Sequence, residues 1–188
     1  DADDVMAQSA YLFMGQMYLK DDNLNAAALA FEKAYKMPYD ESTRETAFYN
    51  YALAQSRGGR TPFSSSVKLF QDFLNKFPNS RYASNVEDYI INSYMTSKDY
   101  DNALLCIEAL KSPSAKMMKA KQNVLYRLGM RELQAGKTTS AADFLTRADE
   151  LAQYDSKVAQ EVKLWLAETR YRQKKYKQAQ TLYNQYVI

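Results

Sequence analysis

Residues 76–84 read KFPNSRYAS, a proline and an Asn-Ser pair set between two stretches whose apolar spacing is helical. Upstream, Val67, Phe70, Phe73, Leu74 and Phe77 follow one another along one helix face; downstream, Tyr82, Val86, Tyr89, Ile90 and Ile91 do the same. Pro78 keeps Phe77 out of the α region, so the first helix has to stop there. Ser80 or Asn79 then offers a side-chain oxygen to the free amides of the next first turn. The stretch is a helix boundary, and its counterparts are KMPYDES at 36–42, KSPSAK at 111–116 and, without a proline, AQYDSK at 152–157. Three of the 4 prolines therefore stand at such boundaries, which suggests a repeating unit.

Between the boundaries a small residue is followed four places later by a bulky one: Ala27 and Phe31, Ser66 and Phe70, Ala103 and Ile107, Ala141 and Leu145, Ala179 and Tyr183. The small members are 39, 37, 38 and 38 residues apart. Three places ahead of each stand Leu24, Phe63, Tyr100, Thr138 and Tyr176. Further upstream lie Met14-Gly15, Tyr51-Ala52, Ile90-Ile91, Leu128-Gly129 and Leu166-Ala167. Each unit thus has a first helix with a bulky-small pair, a short polar turn such as KDDN at 20–23 or AGK at 135–137, and a second helix with the small-large pair. Small residues let two helices approach closely while large ones fill the wedge toward the next pair.

This pattern resembles the tetratricopeptide repeat over essentially the whole chain, with units near 8–44, 45–83, 84–121, 122–159 and 160–188. The spacing of about 38 exceeds the roughly 34 of the standard motif. Ile91 stands where Gly or Ala is usual and Glu132 where Tyr is usual. The second unit carries a longer turn, SRGGRTPF, with Pro62 placed for the first position of its helix. The resemblance implies an all-α, right-handed superhelix of five helix pairs forming one solenoid domain over residues 1–188. The boundary phrase is also similar to junctions in bacterial cell-envelope tetratricopeptide proteins, such as the lipoprotein of the outer-membrane β-barrel assembly machinery and the periplasmic coordinator of the Tol system. That similarity favours a periplasmic or outer-membrane setting over a cytoplasmic one.

Composition limits the chemistry. With no His and a single Cys106 in an apolar helical run, nucleophilic triads and the usual zinc ligand sets are excluded, and no cofactor or metal is expected. Carboxylates such as Glu45 and Asp88, or Asp149 and Glu150, read as solvated helix faces, and Gly58-Gly59 lacks the spacing of a phosphate loop. The net charge of +3 comes from 25 basic and 22 acidic residues interspersed along the chain, too balanced to point to nucleic acid. The lysines at 111, 116, 119 and 121, and the cations from Arg170 to Lys177, read as solvated faces. No apolar run is long enough to span a membrane, and Met117 and Met118 read as core.

The expected role is a non-enzymatic scaffold that binds a peptide or helix of another protein. In the tetratricopeptide arrangement the first helices line the concave groove, which makes Tyr49, Asn50, Tyr89, Asn92, Tyr126, Arg127, Met130, Trp165, Glu168, Tyr171 and Arg172 the candidate partner-binding residues. Leu12, Gln16, Leu53, Asp88 and Leu164 share that phase. Trp165 reads equally well as an anchor of the fifth unit. Leu12 and Gln16 occupy the first-unit positions where related chaperone cofactors carry Lys and Asn, so their carboxylate clamp is absent although Asn50 matches. The alternatives are a structural or self-assembly segment of a larger envelope lipoprotein, or a regulatory domain whose effector lies elsewhere. The chain starts at Asp1 without Met, and YKQAQTLYNQYVI ends on uncovered apolar residues, Leu182, Tyr183, Tyr186, Val187 and Ile188. It is therefore expected to be part of a longer protein, its last helix either packing on a neighbouring molecule or staying partly exposed.

Overall fold

The computed structural model describes residues 1–58 and 63–187. They form α1 (Ala2–Lys20), α2 (Leu24–Lys36), α3 (Glu41–Arg57), α4 (Phe63–Lys76), α5 (Ala83–Ser97), α6 (Tyr100–Glu108), α7 (Ala115–Gln134), α8 (Thr138–Asp149), α9 (Ser156–Arg172) and α10 (Tyr176–Val187). There is no strand among the described residues. These ten helices are the five expected pairs of a tetratricopeptide-like architecture. The expectation for Pro62 falls outside the described residues, as do the side chains of Val187 and Ile188.

The boundaries form for the reasons their residues suggest. α4 ends at Lys76, two residues before Pro78, and the Ser80 hydroxyl accepts from the Tyr82 amide at 3.0 Å. Asp40 caps α3 through the Thr43 amide at 2.7 Å. Ser114 caps α7 through Met117, and Asp155 caps α9 through Lys157 and Val158. Within the pairs, the turn is made by one left-handed residue seven places after the small residue of the first helix: Asp22 (φ 56°), Lys98 (57°), Gly136 (75°) and Lys174 (60°). Only Gly136 adopts this geometry without steric cost.

The helices group into two compact units, residues 1–90 and 91–188. In the first, α1 packs on α2, α2 on α3, α3 on α4, and α1 also reaches α3. Its core is aromatic: Tyr35 stacks on Phe48 at 4.2 Å, Phe48 meets Phe73 edge-on at 5.6 Å, and Phe70 lies 4.2 Å from Tyr89. In the second, α6 packs on α7, α7 on α8, α8 on α9, α9 on α10, and α7 also reaches α9. Its core is aliphatic, built on the fully buried Leu125, Leu128, Leu145 and Val162.

The small-large pairing fixes the close helix contacts in both units. A Cβ added to Gly15 would sit 2.5 Å from the Phe31 ring, and one added to Gly129 would sit 2.7 Å from Leu145 Cγ. Ala27, Ala103 and Ala141 are completely buried, and Ala179 nearly so. Met117 is buried and Met118 partly so, and Cys106 is buried in hydrogen-bond contact with the Tyr94 hydroxyl.

Candidate functional site

The junctions are pinned by a side chain that periodicity alone does not single out. Gln8, completely buried, reaches out of α1 to the turn before α3. Its Nε2 donates to the carbonyls of Ala34, Met37 and Asp40 at 3.1, 2.7 and 3.2 Å, and its Oε1 accepts from the Asp40 amide at 2.8 Å. Seven residues before Gly129, the equivalent Gln122 donates to the Asp155 carbonyl at 3.1 Å while its Oε1 is buried without a partner. In the second repeat the same position is Glu45, which accepts from the Ser80 hydroxyl. The signal in the sequence is a polar residue at one phase of every first helix: Gln8, Glu45, Ser84, Gln122 and Gln160.

In the first compact unit the candidate partner-binding residues are partly consumed by packing. Tyr49 stacks on Tyr82 at 4.2 Å with an interplanar angle of 7°, and Asn50 donates to the Thr46 carbonyl at 2.9 Å. Tyr89 packs on Phe70. Leu12 joins the cluster of Ala27, Ala28, Phe31 and Ala54, and Gln16 is exposed.

In the second unit they gather into two neighbourhoods. Tyr126 of α7 and Trp165 of α9 pack with Leu182 against a buried cluster of Ala142, Leu145 and Leu166. Burial pushes the Tyr126 hydroxyl above its ordinary pKa and the Glu161 carboxylate adds to this; Arg127 and a hydrogen bond from Trp165 oppose it. Trp165 is therefore a half-buried anchor. Arg127 is exposed and has no ion pair among the described residues, Met130 is half-buried, and Asn92 is exposed. In the second neighbourhood Glu168 accepts from Arg172 Nε at 2.7 Å and from the Tyr183 hydroxyl at 3.1 Å. The Arg172 bond, more than any other contact, holds the Glu168 carboxyl below its usual range. Tyr171 lies edge-on to Tyr176 at 5.4 Å, and both are more than half exposed.

Several charged groups elsewhere have structural partners. Asp149 pairs with Lys163 at 3.0 Å, Lys119 with Asp155 at 3.2 Å and Lys121 with Glu108 at 3.3 Å. Among the described residues no three His, Cys, Asp or Glu stand together to hold a metal ion. None of the described helices is long and apolar enough to cross a membrane.

Comparison with known proteins agrees with this architecture. A family model described as tetratricopeptide repeat matches residues 46–80 and 161–187, that is, α3 with α4 and α9 with α10. No curated protein matches the chain in sequence. Among solved structures, MamA from residue 41 to its end, from Desulfovibrio magneticus RS-1, is 16% identical over 96% of this chain and 93% of that one, with a TM-score of 0.43. PilF of Pseudomonas aeruginosa is 18% identical over 98% of this chain and 77% of that one, with a TM-score of 0.40.

Proposed function

We propose that this chain, which carries tetratricopeptide repeats, is an interaction scaffold whose first-helix residues in the second unit receive a peptide or helix of another protein. The observation that carries the reading is the combination at Arg127, Tyr126 and Trp165: an exposed guanidinium without an ion pair among the described residues, next in sequence to Tyr126, which is anchored together with Trp165. Arg and aromatic residues on a rigid support lose little conformational freedom when a partner covers them, which is what interface hot spots require. The partner this fits carries an apolar side chain to lie on the aromatic edge and a carboxylate to meet Arg127. A Gram-negative envelope setting is supported by the junction phrases alone, and cell fractionation of the tagged protein tests it.

Photo-crosslinkers placed at Arg127, Tyr171 and, as a control on an exposed second-helix position, Asp143 test the site in cells. One protein should be trapped from the first two positions and not from Asp143. Its purified form should bind the Arg127→Glu variant at least about ten-fold more weakly, the scale of a like-charge contact at an interface. Equal trapping from Asp143, or unchanged affinity of Arg127→Glu, would refute this placement. Tyr126→Ala is the poorer probe, because Tyr126 also supports Trp165 and its loss lowers stability as well as binding.

A further inference from the structure

The most exposed apolar surface of the molecule lies on α1, outside the candidate site. In later first helices, the residues one and five places before the small residue are covered by the preceding helix pair. Val124 and Leu128 are buried in α7, and so are Val162 and Leu166 in α9. The same places in α1 are Ala10 and Met14, both exposed. Along that side Met6, Phe13 and Met17 are 69%, 63% and 68% exposed. The stripe runs into a groove of about 190 Å³ between α1 and α2, lined by Tyr11, Met14 and Tyr18 on one side and by Leu29, Ala30 and Lys33 on the other. A helix that is apolar on every side is built to be covered on every side.

The repeat register says what kind of element covers it. α9 seats on α8, a second-type helix, over the buried Ala142, Leu145 and Ala148. One repeat later these three positions are Gln180, Tyr183 and Tyr186 of α10, where Tyr183 is half-buried and Tyr186 exposed. α10 therefore presents the surface that a first helix packs against, and α1 presents the face that packs on a second helix.

Charge selects between pairings. At each observed junction of the second unit the C-terminal end of a first helix meets the N-terminal end of the preceding second helix. Arg131 Nη1 lies 2.6 Å from Asp101, and Gln173 donates to the Thr138 carbonyl at 3.1 Å. The α1 residue in the place of Gln173 is Asp21, followed by Asp22; the α10 residue in the place of Thr138 is Tyr176, preceded by Lys174 and Lys175. None of these four charged side chains has an ion pair among the described residues. Two α1 faces would bring acidic ends together, and two α10 faces basic ends. Only α1 against α10 brings opposite charges into the register already used within the chain.

We propose that α1 of one copy seats on α10 of a second copy, head to tail, with Asp21 and Asp22 against Lys174 and Lys175 and with a tyrosine of α10 in the groove between α1 and α2. Such a contact is heterologous, so it is not self-complementary and association can proceed beyond a dimer. It uses a different surface from Arg127, so the two readings fail separately.

Sedimentation velocity of the 188-residue chain, from micromolar to several hundred micromolar and at two salt concentrations, tests this. The sedimentation coefficient should rise with concentration and fall with salt, because exposed charge pairs are screened. Asp21→Lys with Asp22→Lys should weaken association about ten-fold or more, and Lys174→Glu with Lys175→Glu should do the same. An equimolar mixture of the two double variants should restore it, since each then presents to the other the charge it has lost itself. Phe13→Asp with Met17→Asp, on an exposed face, should abolish association while helicity is kept, and Arg127→Glu should leave it unchanged. A monomer at every concentration overturns the proposal, as does association that ignores the charge reversals or a mixture that fails to restore it.

Discussion

Gly129→Ala sets two known effects against each other at one site. In a helix interior, alanine is favoured over glycine by about 1 kcal/mol, so on propensity alone the variant gains stability. The packing opposes this: the new Cβ would lie 2.7 and 2.8 Å from Leu145 Cγ and Cδ2 and 3.4 Å from the Leu145 backbone nitrogen. Leu145 is completely buried, so it has nowhere to swing, and the nearby backbone limits how far α8 can retreat. Overpacking of this kind costs about 1–3 kcal/mol, and the net expectation is a loss of up to about 2 kcal/mol. In a Leu145→Ala background, itself costing about 2–5 kcal/mol, the obstacle is gone, and the same glycine substitution should gain about 1 kcal/mol. The change corresponds to a coupling of about 1–3 kcal/mol, within the range for contacting residues. The only tryptophan, Trp165, packs against Leu145 in the same cluster. Its fluorescence in a urea titration therefore reports this part of the repeat array, which need not unfold in one step with the rest. If Gly129→Ala stabilises the otherwise unchanged chain, α7 and α8 do not approach as closely as the small-large pairing requires.

Three further outcomes are expected. Ala103→Asp and Ala141→Asp should each lower stability by roughly 3 kcal/mol or more, since each places an unpaired carboxylate at a fully buried helix contact, and near-normal melting of both would contradict the repeat phase. Gln8→Leu should cost about 3 kcal/mol, because the Asp40 amide and the clustered carbonyls lose their partner, whereas Gln122→Leu, giving up a single bond and an unpartnered oxygen, should cost about 1 kcal/mol; equal losses would show that Gln8 is no junction pin. The carboxyls of Asp40, Asp101 and Asp155 are all held below their ordinary range, mainly by the Thr43 hydroxyl, Arg131 and the Val158 amide respectively. The stability they contribute is fully present above the unfolded carboxylate pKa and is lost as pH falls through their lowered values, so melting temperature should drop over that acid window and drop less in Asp155→Asn, which keeps a cap without the charge.

The fold was legible because its determinants are local or periodic. Pro78 and Ser80 end and start helices through their own backbone geometry, and the small-large pairs mark close contacts because only one face of each helix carries them. The candidate site was legible only as a phase along the first helices. Tyr suits a packed stack, as Tyr49 shows against Tyr82, and an exposed edge equally well, as Tyr171 shows. For Tyr49 the deciding residue is Tyr82, beyond the whole of α4 along the chain. Gln8 was passed over because a buried glutamine has no apolar signature, although its equivalents recur once per repeat. The open face of α1 was hidden for the opposite reason: with apolar residues on all its sides, α1 shows no preferred face to periodic reading, and burial alone separates Leu12 from Phe13.

The departures from the repeat pattern show how the frame and the function divide the sequence between them. At the crossing of first and second helix the chain places Gly15 with Phe31, Ala52 with Phe70, Ile91 with Ile107, Gly129 with Leu145 and Ala167 with Tyr183. Where the first member grows to isoleucine, the second is isoleucine rather than an aromatic ring. The frame thus fixes a residue pair at each crossing and a polar pin at the junctions that Gln8, Glu45 and Gln122 hold, while outward positions of the first helices such as Arg127 stay exposed. Arg127, Asn92 and Tyr171 are such positions. The proposed interaction surface therefore follows the period of the helices in place but not in residue type.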